Sequence, residues 1–343
     1  MTGSGPLDLL VAGGGPVGLA TAIEARRHGL TVAVVEPRAG VLDKACGEGL
    51  MPSALSQLRS LGVAVTGRPF VGIRYLRDGV SVDARFRSGP GCGVRRTVLH
   101  QALAARADAV GVERVAGSVR SVVQSPGSVE AAGLQAPWLV AADGLHSTVR
   151  RLLGLDVSAP GVARFGLRRH FAVPPWTDHV EVHWSASAEA YVTPVSDGLV
   201  GVAVLGPART GFDEALDGMP VLRARLRGVQ PVTDVRGAGP LWQRSSAVRS
   251  GRVLLVGDAA GYIDALTGEG LSTGLASARA AVAAVAAGRP ETYPPAWRRL
   301  TRRHRALTRG LLALATWGGT RAVLVPAAVR LPGGFGRLVD LLA

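Results

Sequence analysis

Apolar and polar positions change their spacing several times along the chain, and each change marks an element. Leu7–Ala12 is an apolar run of strand length, and Pro16 to about His28 carries its apolar residues at helical spacing. Thr31–Glu36 is a second apolar run, so the chain opens as strand, helix, strand. Pro52–Leu61 reads as a helix that stops at Gly62, and Asp78-Gly79 joins Ile73–Arg77 to Val80–Phe86 as a hairpin. Thr97–Ala107 returns to helical spacing. Short strands follow near Val112–Val115 and Val119–Val123, and Trp138–Ala142 is a buried strand that runs into a helix near His146–Leu153.

From Arg164 onward the spacing becomes alternating, in Arg164–Val173, Val180–Trp184, Ala190–Val195 and Leu199–Leu205. Alternation predicts an antiparallel sheet with one covered face, and so a second lobe. Arg252–Val256 resumes the buried-strand pattern. Helices are predicted near Gly270–Ala287 and Pro295–Thr316.

Composition then narrows the class. The chain has 343 residues, 47% of them hydrophobic, which suffices for one large domain or two lobes with a substantial core. The formal net charge is +14, carried almost wholly by arginine, since Lys44 is the only lysine. The arginines are scattered apart from one concentration at Arg298, Arg299, Arg302, Arg303, Arg305 and Arg309, and no nucleic-acid motif accompanies it. Nucleic acid is therefore not an expected partner. The concentration predicts a solvated helix face, with peripheral membrane contact through this basic C-terminal helix as the competing use. Two cysteines, Cys46 and Cys92, make no disulfide framework and point to a reducing, cytoplasmic setting. No signal peptide is visible, because Leu7–Ala12 is short and leads into glycines. The apolar stretch Gly310–Val329 is broken by Gly318, Gly319 and Arg321, so it reads as buried or interfacial helix rather than a membrane span. No metal site is expected.

The chemistry begins at Gly13-Gly14-Gly15-Pro16-Val17-Gly18, a GxGxxG between strand and helix. Gly13 permits the tight turn, Gly15 lets backbone approach a pyrophosphate, and Gly18 lets helix and strand pack closely. The phosphates then sit at the helix N-terminus, where free N–H groups and the dipole favour anions. Glu36 ends the second strand about twenty residues on, where a carboxylate accepts from ribose hydroxyls. Pro37 and Arg38 belong to the same edge. These features predict a dinucleotide, NAD or FAD, with a glycine-rich structural turn as the alternative.

Two later segments separate the two cofactors. Ala142-Asp143-Gly144-Leu145-His146-Ser147-Thr148-Val149-Arg150 resembles the DG motif of the p-hydroxybenzoate hydroxylase-type flavoproteins. Gly257-Asp258-Ala259-Ala260-Gly261, followed by Thr267-Gly268-Glu269-Gly270-Leu271, resembles their GD motif. The resemblance runs from Gly13 through Arg96 and Asp143 to Leu271. It implies FAD as cofactor, with NAD(P)H as a transient electron donor or a separate reductase supplying electrons, since only one GxGxxG is present. It also implies that Arg96 contacts the cofactor, with Arg95 competing for that assignment and a solvent-exposed arginine as the bland reading. Asp258 follows a strand, where it can accept from a ribityl chain or cap the next segment. Gly268, Gly270 and Leu271 open a helix whose N-terminal amides would face the negative charge of a reduced flavin.

The fold class expected is α/β: a Rossmann-like FAD-binding domain (residues 1–70, 92–160 and 245–290), an inserted antiparallel β-sheet substrate domain (71–91 and 161–244), and a helical C-terminus (291–343).

Gly261 stands where the aromatic hydroxylases carry His, and Asp264-Ala265 stands at their Pro pair. Gly-Asp-Ala-Ala-Gly and Lys44-Ala45-Cys46-Gly47-Glu48-Gly49-Leu50-Met51-Pro52 are instead similar to the geranylgeranyl reductase branch, whose Cys-Gly-Gly or Cys-Gly-Glu segment lies beside the flavin. Cys46 and Gly47 are expected there, Cys46 either as a thiol that tunes or protonates, or as a small apolar residue packed under the ring. The branch's Tyr-x-Trp-x-Phe-Pro strand matches Glu189–Pro194 only at Pro194, with Tyr191 in the Trp place, which weighs against a long isoprenoid tunnel. The halogenases' Trp-x-Trp-x-Ile-Pro is absent.

The alternating strands hold few charged groups, so a hydrophobic substrate is expected: aromatic, polyketide-like or isoprenoid. Their polar candidates are Arg168, His170, His183 and Tyr191. Val180, Val182 and Trp184 share one strand face and Glu181 and His183 the other. Cys46, Tyr191 and His183 are the catalytic candidates, His183 either as an acid/base or as an ordinary surface histidine. The leading expectation is NAD(P)H-driven hydroxylation through a flavin C4a-hydroperoxide in a dry cavity. The alternative is hydride transfer from reduced flavin to an activated C=C bond, and a non-catalytic flavin-binding or membrane-docking protein is the third reading.

Overall fold

The computed structural model describes residues 6–161, 163–316 and 318–342. One sheet has six strands in the order Arg249–Ser250, Val253–Leu255, Trp138–Ala141, Leu9–Ala12, Val32–Glu36 and Glu113–Ala116. Every pair is parallel except the edge pair Arg249–Ser250 with Val253–Leu255. Leu9, Leu10 and Val11 are wholly buried, as are Val253, Leu254 and Leu255, because helices and the small sheet of Val122–Gln124, Val129–Ala131 and Leu134–Ala136 pack against this sheet. Pro16–Arg27 packs on both Arg96–Ala109 and Gly270–Ala286.

This strand order has one consequence for the site. Val253–Leu255, Trp138–Ala141 and Leu9–Ala12 are neighbours running the same way. The turns that leave them therefore open on one edge of the sheet, although they lie far apart in sequence. Gly13, Asp143 and Asp258 meet there, at the carboxyl ends where open α/β sheets bind ligands.

The second sheet has seven strands, in the order Arg236–Ala238, Arg164–Phe171, Leu199–Pro207, Glu189–Ser196, His179–Trp184, Gly72–Arg77 and Val80–Arg85. It is antiparallel at every junction but one. His179–Trp184 pairs in parallel with Gly72–Arg77, so the expected antiparallel sheet is a mixed one. The physical reason is the connection, which is a long excursion through the first sheet rather than a tight turn.

Register assigns the faces of this sheet. Arg168, Ala203, Tyr191, Val182 and Tyr75 are successive partners across five strands and share one face. The next row on that face carries His170, Gly201 and Thr193. The opposite face carries Ala190, Val192, Val202 and Val204, which pack on two short helices, Phe212–Asp217 and Pro220–Arg225. Those helices fall where no periodicity marks them. A small sheet of Gly49–Leu50, Gly91–Gly93 and Arg68–Phe70 lies between the two large ones.

The strand expected near Val119–Val123 begins later, at Val122–Gln124. It joins Val129–Ala131 and Leu134–Ala136, where Ala132 and Gly133 turn the chain with φ of 54° and 73°. The C-terminus forms three helices, Tyr293–Thr316, Gly318–Arg330 and Pro332–Leu342. Among the described residues no single helix is long and apolar enough to cross a membrane. Arg321, which interrupts the apolar stretch, is buried and ties the second of these helices to the larger sheet. Its guanidinium reaches Glu189 Oε2 at 2.8 Å and Ser185 O at 2.8 Å, and lies 5.1 Å from the Trp184 ring centre. Glu189 is wholly buried and also pairs with Arg164, whose Nε lies 3.1 Å from Asp264.

Candidate functional site

A cleft of about 630 Å³ runs between the carboxyl edge of the parallel sheet and the Arg168–Tyr75 face of the mixed sheet. That volume suits a sizeable organic ligand.

Its floor is the glycine turn. Gly13 has φ +103°, and a Cβ there would stand 2.6 Å from Ala142 O. A Cβ on Gly18 would fall 1.8 Å from Gly13 O, so only glycine allows the helix to lie this close to the turn. Gly15 is different, since its nearest neighbour would be Arg96 Nη2 at 3.9 Å. The space above Gly15 is left open. Pro16 and Val17 start the helix, which has no side-chain cap. Gly14 N–H donates to Glu36 Oε2 at 2.8 Å, and Arg38 Nε donates to Glu36 Oε1 at 2.7 Å. Burial pushes the Glu36 carboxyl up, but these hydrogen bonds outweigh it and hold it below the usual range. Pro37 and Arg38 line the same end of the cleft.

His100, which the sequence does not single out, braces this turn. Its Nδ1 accepts from Leu42 N–H at 3.3 Å, so Nε2 carries the proton and donates to Gly14 O at 3.1 Å. Burial lowers its pKa and keeps the ring neutral.

Arg96 and Arg95 part company. Arg96 begins its helix and lines the cleft, while Arg95 does not. Among the described residues the Arg96 guanidinium has no hydrogen-bond partner, and its Nε is buried. Burial lowers its pKa against the attraction of Cys46, Asp258 and Glu48. A half-buried cation without a partner, set beside open space over Gly15, fits an anionic ligand.

The two downstream motifs divide structure from availability. Asp143 is spent internally: Oδ1 accepts from Ser147 Oγ at 2.6 Å and Oδ2 from Val149 N–H at 3.0 Å. Gly144, at φ +81°, turns the chain along the cleft. Arg150, wholly buried, donates to Leu145 O at 3.1 Å and to Ala259 O at 3.1 Å, and so clamps one motif to the other. Asp258 lines the cleft with its carboxylate unpartnered among the described residues, and the capping role expected as its alternative is not made. Gly268, Gly270 and Leu271 lead into Gly270–Ala286, which has no side-chain cap and no acid in its first turn. The Glu269 side chain is turned to His304 instead, at 2.9 Å. Free donors at a helix start, a free carboxylate and a free guanidinium around one cleft fit the pyrimidine, ribityl and pyrophosphate parts of FAD respectively.

The segment from Cys46 to Glu48 forms the wall between the two sheets. Cys46 Sγ accepts from Glu48 N–H at 3.4 Å, and Gly47 O accepts from Thr193 Oγ1 at 2.7 Å. Glu48 holds a left-handed backbone, φ 60°. Its carboxylate accepts from Arg96 N–H at 2.9 Å and meets His170 Nε2 at 2.6 Å. Tyr191 lines the cleft and donates to Leu266 O at 3.3 Å. Burial, then the Glu189 charge, pushes its phenol well above the ordinary value. Tyr262 and Tyr75 are raised by burial in the same way and also line the cleft. Neither was a sequence candidate, because isolated tyrosines carry no spacing signal.

His183 is not brought to the cleft. It sits on the opposite strand face from Val182, buried, with Nε2 3.1 Å from Glu181 Oε2. The cleft lies on the Val182 face, so strict alternation turns His183 away from it, and the residue is buried rather than on the surface.

The comparisons agree with this geometry. A family model described as an FAD binding domain matches residues 100–292, more than half of the chain. The menaquinone reductase of Mycolicibacterium smegmatis is 31% identical over 94% of this chain and 88% of its own length. Digeranylgeranylglycerophospholipid reductase 2 of Methanopyrus kandleri is 26% identical over 80% of this chain and 75% of its own. A flavoprotein/dehydrogenase structure from Cytophaga hutchinsonii superposes with TM-score 0.84 at 18% identity, covering 98% of this chain and 92% of that one, a likeness of fold.

Proposed function

We propose, of a chain that belongs to the FAD-binding-domain family and is an FAD-dependent oxidoreductase, that it reduces a carbon–carbon double bond in a hydrophobic small molecule with electrons from NAD(P)H. The observation that carries this reading is the Cys46 thiol on the cleft wall, in a loop pinned from both sides by Thr193 and His170. FAD, when bound, supplies the two-electron chemistry. Gly15, Arg96, Asp258 and the start of Gly270–Ala286 would hold it. The remaining need of such a reduction is a proton at a fixed place, and Cys46 Sγ is the atom this chain offers, with the Tyr191 hydroxyl as the neutral phenol opposite. Phe70, Ile73, Val180 and Leu205 exclude water from the same space. The reductase names of relatives that match along most of their length support this order over hydroxylation, which the short chain and the degenerate Glu189–Pro194 strand put first.

Hydroxylation is the second reading, and the dry apolar lining favours it. One experiment separates the two. The purified protein is reduced by NAD(P)H without air and mixed with hydrophobic quinones, isoprenoids and polyketides, then exposed to isotopically labelled O2. A product with two hydrogens added at a carbon–carbon double bond, which survives reoxidation in air, supports reduction, and label in the product supports hydroxylation. A colourless protein that fails to take up FAD would sink both. NAD(P)H oxidation by the chain alone, without an added reductase, tests whether electrons arrive directly.

Peripheral membrane contact belongs to this reading too. Arg298, Arg299, Arg302 and Arg303 are exposed on Tyr293–Thr316, and Leu314 and Leu331 are 46% and 69% exposed beyond them. Flotation with anionic vesicles, and none with zwitterionic ones, is the expected outcome.

A further inference from the structure

The chain has four tyrosines, and their hydroxyls are not used alike. Tyr293, wholly buried, donates to Leu255 O at 2.5 Å, and Tyr191 donates to Leu266 O at 3.3 Å. Among the described residues the hydroxyls of Tyr262 and Tyr75 have no hydrogen-bond partner, and both side chains line the cleft. Tyr262 follows Gly261, and its ring lies over Gly270, where a Cβ would meet it at 3.2 Å. It therefore belongs to the floor that would hold FAD. Tyr75 belongs to the roof, and nothing assigned so far uses its hydroxyl.

The surroundings fix that hydroxyl in place. Tyr75 pairs with Val182 across the strands, and its ring centre lies 5.6 Å from that of Trp184 and 4.7 Å from that of Phe335. The residue is 6% exposed, and the surface that remains includes the hydroxyl oxygen, which adjoins the cleft. Met51, Phe70, Ile73, Val180, Val182 and Leu266 pack in the same cluster and line the same space. Burial, then the Glu189 charge, push the phenol pKa up, so the group keeps its proton and stays a donor. Covering a fixed O–H donor with hydrocarbon costs free energy that an oxygen acceptor restores.

We infer that Tyr75 is a polar anchor for the substrate: its hydroxyl donates to a carbonyl-type oxygen on an otherwise apolar body, which packs on Val182 and its neighbours. The inference rests on the roof being the substrate side in the proposed function, and it names the feature that this side selects. No proton leaves Tyr75 in this role, and no bond is made or broken there. A pure hydrocarbon leaves the O–H unmet, whereas a quinone, an enone or an aryl ketone meets it. A wall built around one hydrogen bond discriminates in this way against an analogue that lacks the acceptor.

The test is equilibrium dialysis of the holoenzyme with its flavin oxidised, so that binding is read without turnover. The probes are hexyl 2-naphthyl ketone and the alkene of the same shape in which CH2 replaces the carbonyl oxygen. Tyr75→Phe removes only the hydroxyl oxygen and keeps a ring between Trp184 and Phe335. It should weaken the ketone about 3- to 10-fold, the worth of one hydrogen bond, and leave the alkene unchanged. Alkene binding thereby checks that the variant keeps its fold. A ketone bound equally by both proteins, or by neither, overturns the anchor, and so does an equal loss of both probes. The proposed function is read separately, by anaerobic reduction with NAD(P)H and by product analysis. A ketone preference that depends on Tyr75, with no double bond reduced in any substrate offered, leaves the anchor standing and sinks that function. Double-bond reduction without the preference does the reverse.

Discussion

The floor and the roof of the cleft are built on different principles. On the floor, ligand contact is made by backbone and by the absence of side chains. Gly13 and Gly18 are fixed by contacts of 2.6 and 1.8 Å that a Cβ would make, and Gly15 by the space it leaves. On the roof, contact is made by whichever side chains a register brings to one face: Arg168, Ala203, Tyr191, Val182 and Tyr75. The floor tolerates few residues at few positions. The roof tolerates many residues, provided the pairing holds. On the function proposed above, one part would fix the cofactor and leave the other free to fix the substrate.

Substitutions can break that contrast in graded steps. Gly18→Ala should do most harm, costing at least about 4 kcal/mol through a forced backbone shift and removing flavin altogether; thermal unfolding and flavin absorbance per chain measure both. Glu189→Gln comes next. It leaves Arg164 and Arg321 without their shared carboxylate and should lower stability by about 3 kcal/mol. The folded fraction should still carry FAD, and flavin loss in proportion to roof damage would erase the contrast. Arg96→Met should weaken FAD about 10- to 100-fold, as read by fluorescence titration, while the apoprotein melts no lower, because the half-buried guanidinium has no protein partner to lose among the described residues. Asp264→Asn should have the smallest effect. Burial lifts the Asp264 carboxyl to about 6 against the pull of Arg164, from 3.8 in the free residue. The folded state thus holds the extra proton between those values, so stability from this group falls as pH rises from about 4 to 6. The asparagine variant should lack that slope in melts taken across the range.

The same contrast explains what could be read from the sequence. Gly13–Gly18, Asp143-Gly144 and Gly257–Leu271 carry their chemistry in residue types that few other roles demand, and strand order brings them to one sheet edge. Asp258 was legible as a cofactor candidate for that reason, whereas Arg96 was a candidate through the resemblance alone, with Arg95 competing until the structure placed only Arg96 on the cleft. Tyr75, Tyr262 and His100 were not legible. A lone tyrosine or histidine has no spacing, and each gains its place from a partner strand or loop remote in sequence. His183 was misplaced because alternation tells that two faces exist but not which one meets the cleft. Arg168 was visible as a polar residue in an apolar run, yet its burial depends on Asp43 arriving from another segment. The short helices Phe212–Asp217 and Pro220–Arg225 are too brief for periodicity to register.

The single parallel junction of the roof, between Gly72–Arg77 and His179–Trp184, also sets an order in time. The hairpin formed by Gly72–Arg77 and Val80–Arg85 is made early, but its inner edge waits roughly a hundred residues for its partner, and a contact of that sequence separation forms slowly. Until then the hairpin presents an open strand edge to other chains. The closing strand belongs to the same run as Glu189–Ser196 and Leu199–Pro207, so the roof closes as one unit after the first turns of the floor exist. A nascent chain would therefore meet the residues of its glycine turn before those of its whole roof, and the waiting hairpin edge is the place a second chain could pair.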